Sequence, residues 1–132
     1  YEIVHYIVTQ YNLLKKSEQE AISDFEMEFL KQVLQKGIEG INPKDFPRYR
    51  NIIDKLIKTR HLIVIDKDII WHNDVFLQYS TRIMAHFEKN NELTIQQAKE
   101  LTGLSRKYII PLLNAMEQKN LIKRYGDVRI KV

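Results

Sequence analysis

The chain contains no cysteine. That excludes disulfides and thiolate-ligated metals, and it fits a reducing cytoplasm. No apolar run approaches the roughly 20 residues that a bilayer-spanning helix needs. The first residues, "YEIVHYIVTQ", lack the basic segment and small-residue cleavage site of a secretory leader. An initiating methionine is missing as well, which reads as a fragment of a longer protein. Catalytic signatures are equally scarce. There is no G-x-x-x-x-G-K phosphate loop and no G-x-S-x-G elbow. "TGLS" resembles a nucleophile turn only superficially. His5, His61, His72 and His86 show no metal-ligand spacing. The carboxylates of "EQE" and "EMEFLKQ" read as solvated helix faces. The sequence thus offers no catalytic residue, no metal ligand and no cofactor site.

What is present is an ordinary globular composition, 44% hydrophobic and 29% charged over 132 residues, enough for one domain or two small ones. The net charge of +4 is unevenly placed. Residues 1–74 carry eleven cations against twelve carboxylates, and residues 75–132 carry ten against five. Such asymmetry points to an anionic partner for the second half.

The second half parses into three helices and a hairpin. Asn73 or Asp74 can cap a first helix, over Val75–Glu88, whose apolar residues Phe76, Tyr79, Ile83 and Phe87 recur at threes and fours. "NNELT" breaks it. Thr94 and Gln97 form a capping box for a short second helix, ended by Gly103. Ser105 caps a third, with Ile109, Leu112, Leu113 and Met116 as its stripe. Pro111 removes an amide donor inside this helix, so a kink or a tightened first turn is expected. "LIKRY", "GD" and "VRIKV" then read as a hairpin. Two helices about a short glycine turn, followed by a hairpin, make a winged helix.

The first half repeats this order. "SEQE" at Ser17–Glu20 reads as a capping box opening a long helix with Ile22, Phe25, Phe29 and Val33 on one face. Gly37 and Gly40 end it, and Asn42-Pro43 starts a short helix. Tyr49, Ile52, Ile53, Leu56 and Ile57 mark a third helix, and "LIVIDKDIIWH" is the hairpin. The fold class is therefore mainly α with small β-hairpins, as tandem winged-helix modules. Residues 1–16 read as the end of a preceding module or a linker strand, with "EIVHYIV" extended. Residues 17–73 form a spacer-like winged helix and residues 74–132 a binding one.

Aligned at an offset of 59 residues, the two hairpins place Ile65 against Arg124 and Ile70 against Arg129. The fold does not require arginine at either place. A two-residue Gly126-Asp127 loop makes Arg124 and Arg129 face each other, which is destabilising unless something anionic lies between them. A phosphate between them would remove the conflict, and its oxygens suit the planar guanidinium fork. Ser105, Arg106, Lys107 and Tyr108 open the third helix. Cations there oppose the helix dipole, and a phosphate is favoured at the same place.

"LTIQQAKELTGLSRKYIIPLLNAMEQKNLIKRYGDVRIKV" resembles the last winged-helix module of the bacterial selenocysteine-specific elongation factors, the SelB family. "LTGLSRKYIIPLL" and "KRYGDVR" carry the resemblance, over about forty residues. The first module resembles the penultimate winged helix only in helix order and in "LIVIDKDIIWH". The resemblance implies an RNA-anchoring end that grips the selenocysteine-insertion (SECIS) hairpin of the messenger RNA. A GTP-binding part, absent from this chain, would carry the family's enzymatic activity and meet the ribosome and selenocysteyl-tRNA. It also implies a cytoplasmic location and no membrane partner. Carried over by position, the RNA contacts would be Ser105, Arg106, Lys107, Tyr108, Arg124, Gly126 and Arg129. The helix start and the wing would be two walls of one shallow basic site.

Two other classes compete. Winged helices commonly bind duplex DNA, although the third helix has few cations and Pro111 interrupts it. Tandem winged helices also serve as protein-interaction spacers, which the near-neutral first half suits.

Overall fold

In a computed structural model, the described residues are Ile7 and 22–132. The capping box at Ser17–Glu20 lies outside them, as do residues 1–6 and 8–16. Ile7 is helical, not extended as the reading of "EIVHYIV" has it.

Helix α1 (Asp24–Lys36), the one that carries Phe25, Phe29 and Val33, begins later than expected, at a different capping box. Ser23 Oγ accepts from the Glu26 amide at 3.1 Å, and Glu26 Oε1 accepts from the Ser23 amide at 3.0 Å. "SDFE" has the same Ser-x-x-Glu form as "SEQE", and sequence alone does not rank them. The backbone bond from Ser23, with help from Lys55, holds the Glu26 carboxyl below its usual range. Ile22 precedes the helix, and Phe25 is half exposed.

Short 3₁₀ turns at Gly37–Glu39, Pro43–Asp45 and Pro47–Tyr49 occupy the stretch where the sequence suggested a short helix. Asn42 does cap it, accepting from the Lys44 amide at 3.0 Å. Then come α2 (Arg50–Lys58), β1 (Leu62–Asp66) and β2 (Ile69–His72), the last two antiparallel. Ile41 exchanges both backbone bonds with Ile70, each at 2.9 Å, as a third strand reduced to one bridge. Gly40 permits this approach, because a Cβ there would collide with the Ile70 carbonyl. Phe29, Leu30, Val33, Ile53, Leu56 and Leu62 form the core of this unit.

Helix α3 (Asn73–His86) follows. The chain divides into two compact units at Leu77/Gln78, within this helix. The second unit continues with β3 (Glu92–Leu93), α4 (Ile95–Thr102), α5 (Arg106–Gln118), β4 (Ile122–Tyr125) and β5 (Val128–Lys131). Strand β3 falls in "NNELT" and pairs with β5, giving the order β3-β5-β4. Two residues are too short to show a period of two, so the pattern could not reveal it. The Thr94 capping box is present, and Gly103 takes φ 72° as the helix stop. In α5, Ile109, Leu112, Leu113 and Met116 are fully buried. The fold is a mainly α tandem of winged helices with small antiparallel sheets.

Candidate nucleic-acid interface

The start of α5 is fixed by the turn before it. Thr102 Oγ1 donates to the Ala98 carbonyl at 2.8 Å and accepts from the Leu104 amide at 3.2 Å. Leu104 is buried, so the turn is anchored and Ser105 emerges at the helix start. Ser105 has N-cap backbone geometry (φ −74°, ψ 167°) but makes no side-chain cap bond. Its carbonyl accepts from both Tyr108 (3.0 Å) and Ile109 (2.9 Å), which is the tightened first turn that Pro111 led one to expect. Proline has no N–H, so the Lys107 carbonyl has no helical donor four residues on. Arg106 and Lys107 are exposed, and Tyr108 is half buried. Lys107 Nζ stands 5.3 Å from the centroid of the Tyr108 ring.

The wing has the expected register. Arg124 is directly opposite Arg129, and Tyr125 opposite Val128, around Gly126-Asp127. Gly126 takes φ 61°, at the first central position where a type II′ turn wants glycine.

The two arginines differ in exposure. The Arg124 side chain is 57% exposed, whereas that of Arg129 is 5% exposed. The anion that reconciles them is protein: Glu117, near the end of α5. Its Oε1 lies 3.6 Å from Arg124 Nε and 3.3 Å from Arg129 Nε. Neither Glu117 Oε1 nor Arg129 Nε makes a hydrogen bond, so charge rather than aligned bonding joins them. The carboxylate lies between the opposed arginines and offsets one of their two charges, so their repulsion is eased without a phosphate. A direct phosphate contact suits Arg124 and not the buried Arg129.

Helix geometry also separates the expected site into two parts. Glu117 lies eleven positions after Arg106 in α5, which at 1.5 Å per residue is ~16 Å along the axis. Arg106 and the Glu117 that meets the wing arginines therefore stand at opposite ends of the helix. The helix start and the wing are two contact points suited to an extended ligand.

Backbone bonds at the hairpin starts correct the alignment of the modules. The His61 amide donates to the Leu56 carbonyl, and the Leu121 amide to that of Met116. Arg60 and Asn120 both take positive φ. The offset is therefore 60 residues up to the first strand of each wing. It returns to 59 in the second strand, because the first hairpin has a register shift between Val64 and Asp66. Arg124 corresponds to Val64, not Ile65; Arg129 corresponds to Ile70, and Glu117 to Ile57. Burial follows the same pattern, with Val64 and Arg124 exposed and Ile70 and Arg129 buried. An apolar triad in one module is an Arg-Glu-Arg triad in the other.

Two residues escaped the sequence reading. Glu117 continues the Ile109, Leu113 line at every fourth position, a signal that could have placed it against the wing. Tyr125, at the wing tip, is 68% exposed, an aromatic face open to solvent. Alternation along "LIKRY" could have flagged it.

The family model described as "Elongation factor SelB, winged helix" matches residues 85–130. A selenocysteine-specific elongation factor from Desulfomicrobium baculatum is 27% identical over 90 residues, 68% of this chain and 14% of that protein. The chain is thus a small part of the length of that relative. Two solved structures share the fold. The bacterial selenocysteine-specific elongation factor EF-Sec aligns with TM-score 0.68 and 24% identity, over 90% of this chain and 19% of that one. The mRNA-binding domain of E. coli SelB, solved in complex with SECIS RNA, aligns with TM-score 0.66 and 15% identity, over 83% of this chain and 98% of that one. Over residues 85–130, a third of its length, this chain is similar to the winged helix of the elongation factor SelB family.

Proposed function

We propose that the chain is the messenger-anchoring end of a selenocysteine-specific elongation factor, and that its second module grips the SECIS hairpin. The observation that carries this reading is the replacement of Ile57, Val64 and Ile70 by Glu117, Arg124 and Arg129 on one scaffold. The fold is served by the apolar triad, so the charged one needs another purpose. Cations at the start of α5 and on the wing behind its other end suit a folded RNA. A-form RNA has a major groove that side chains cannot read, so recognition favours splayed loop bases and the backbone beside them. Ser105, Arg106 and Lys107 would hold phosphate at the helix start. Arg124 would hold it at the wing, and Tyr108 or Tyr125 would stack on a base. Gly126 would let the wing turn approach closely, and Arg129 would act from beneath. The GTPase, selenocysteyl-tRNA and ribosome contacts would belong to the rest of such a factor, in the cytoplasm. The first module, whose wing carries Asp66 and Asp68, would act as a spacer.

The test is binding of the full chain, at one salt concentration, to a SECIS hairpin and to the same stem closed by an unrelated loop. The reading expects a preference of tenfold or more for the first, equal to about 1.4 kcal/mol. Equal affinity would overturn it.

A further inference from the structure

The triad behind the wing has a consequence for selectivity rather than attraction. Glu117 adds a negative charge to a surface whose proposed ligand is a polyanion. An arginine pair alone would attract any nucleic acid more strongly. Burying Arg129 against that carboxylate also costs desolvation, and an apolar pair such as Ile57 and Ile70 avoids that cost in the same fold. What the charged arrangement supplies is orientation. Arg124 is exposed and long, and such side chains sample many rotamers unless tethered. Its Nε lies 3.6 Å from Glu117 Oε1, and the side chain is still 57% exposed. Arg129 anchors Glu117 from the buried side at 3.3 Å. The order is a buried cation, a partly buried anion and an exposed cation.

We propose that Glu117 is a positioning residue that sets the selectivity of the wing: backed by Arg129, it holds Arg124 in the orientation that fits one RNA hairpin, and it lowers affinity for RNA in general. This rests on the RNA-binding reading above.

A charge-neutral variant separates positioning from attraction. Glu117→Ile with Arg129→Ile transplants the first module's residues, removes one charge of each sign and leaves Arg124 in place. The probe is a pool of RNA stem-loops with constant stem and randomised loop, together with the best binder that the wild-type chain selects from it. Selectivity is the ratio of the two affinities. The variant is expected to melt as one folded species, to bind the unselected pool within about twofold of wild type with unchanged salt dependence, and to lose tenfold or more in selectivity. Adding Arg124→Ala is expected to cost much less in the variant than in the wild type, since the cycle reads their coupling. A second variant, Glu117→Gln, is expected to bind the pool more tightly while selecting less. Unchanged selectivity in the folded variants, or an Arg124→Ala effect equal in both backgrounds, would overturn the proposal. So would loss of folding in both variants, which would assign the triad to holding the module together. A wild-type chain that selects no hairpin from the pool would instead defeat the RNA-binding reading itself.

Discussion

Replacing Arg129 by alanine should damage the fold more than replacing Arg124, although the two residues face each other on one hairpin. Arg129 is 4% exposed, and its Nε is 3.3 Å from Glu117 Oε1. Removing one partner of a buried pair costs about 3–5 kcal/mol, because the other charge is left behind. Here Glu117 is 23% exposed and keeps Arg124 at 3.6 Å, so part of the charge stays compensated. The expected cost is about 2 kcal/mol, which for a module of this size lowers the melting temperature by on the order of 10 °C. Arg124→Ala breaks only a surface pair and should cost at most about 1 kcal/mol. Thermal melts by circular dichroism on both variants give the order directly. RNA affinity should fall sharply for Arg124→Ala already at temperatures where both are folded. The reasoning fails if Arg129→Ala melts within about 2 °C of the wild type, because the cation would then not be holding a buried carboxylate.

Arg106→Ala and Lys107→Ala should each weaken hairpin binding by about 1–3 kcal/mol and make it less steep in salt, by close to one ion on a duplex. Titrations at several salt concentrations read both. Pro111→Ala restores the amide that the Lys107 carbonyl lacks, so it should raise the melting temperature, by an amount equivalent to about 1–3 kcal/mol. An unchanged or lower value would mean that the proline ring packs better than alanine. Burial holds the His72 imidazole below its usual value of 6.5, against a smaller opposing effect of Asp74. Its Nδ1 accepts from the Asp74 amide at 3.0 Å, which requires the neutral ring. The unfolded chain therefore takes up the proton first, and stability present above pH 6.5 is lost as pH falls toward the lower folded value. His72→Gln should flatten that part of the pH–stability curve.

Much of the fold is visible in the sequence because periodic burial is local. The stripe of α5, the Thr94–Gln97 box, the Gly103 stop and the wing register all follow from neighbours a few residues apart. The errors lie where competing local signals are equivalent or where tertiary contact decides. Ser17 and Ser23 offer the same capping pattern, and only the helix start at Asp24 distinguishes them. The Ile65 alignment fails because a bulge in one hairpin does not show in residue type. The largest revision concerns Arg124 and Arg129. Their opposition was legible, but the placing of Glu117 between them depends on how the end of α5 lies against the wing. Arg129, a cation that looks available in sequence, is buried in the fold.

The central claim is that the second module recognises folded RNA rather than duplex DNA or a protein partner. The most direct measurement is the affinity of the full chain for an RNA stem-loop and for a DNA duplex of equal phosphate count, at one fixed salt concentration. The account predicts that the stem-loop binds tighter by tenfold or more, about 1.4 kcal/mol, and that Arg124→Ala removes most of that margin. Equal or tighter binding to the duplex, or no binding to either, would contradict it.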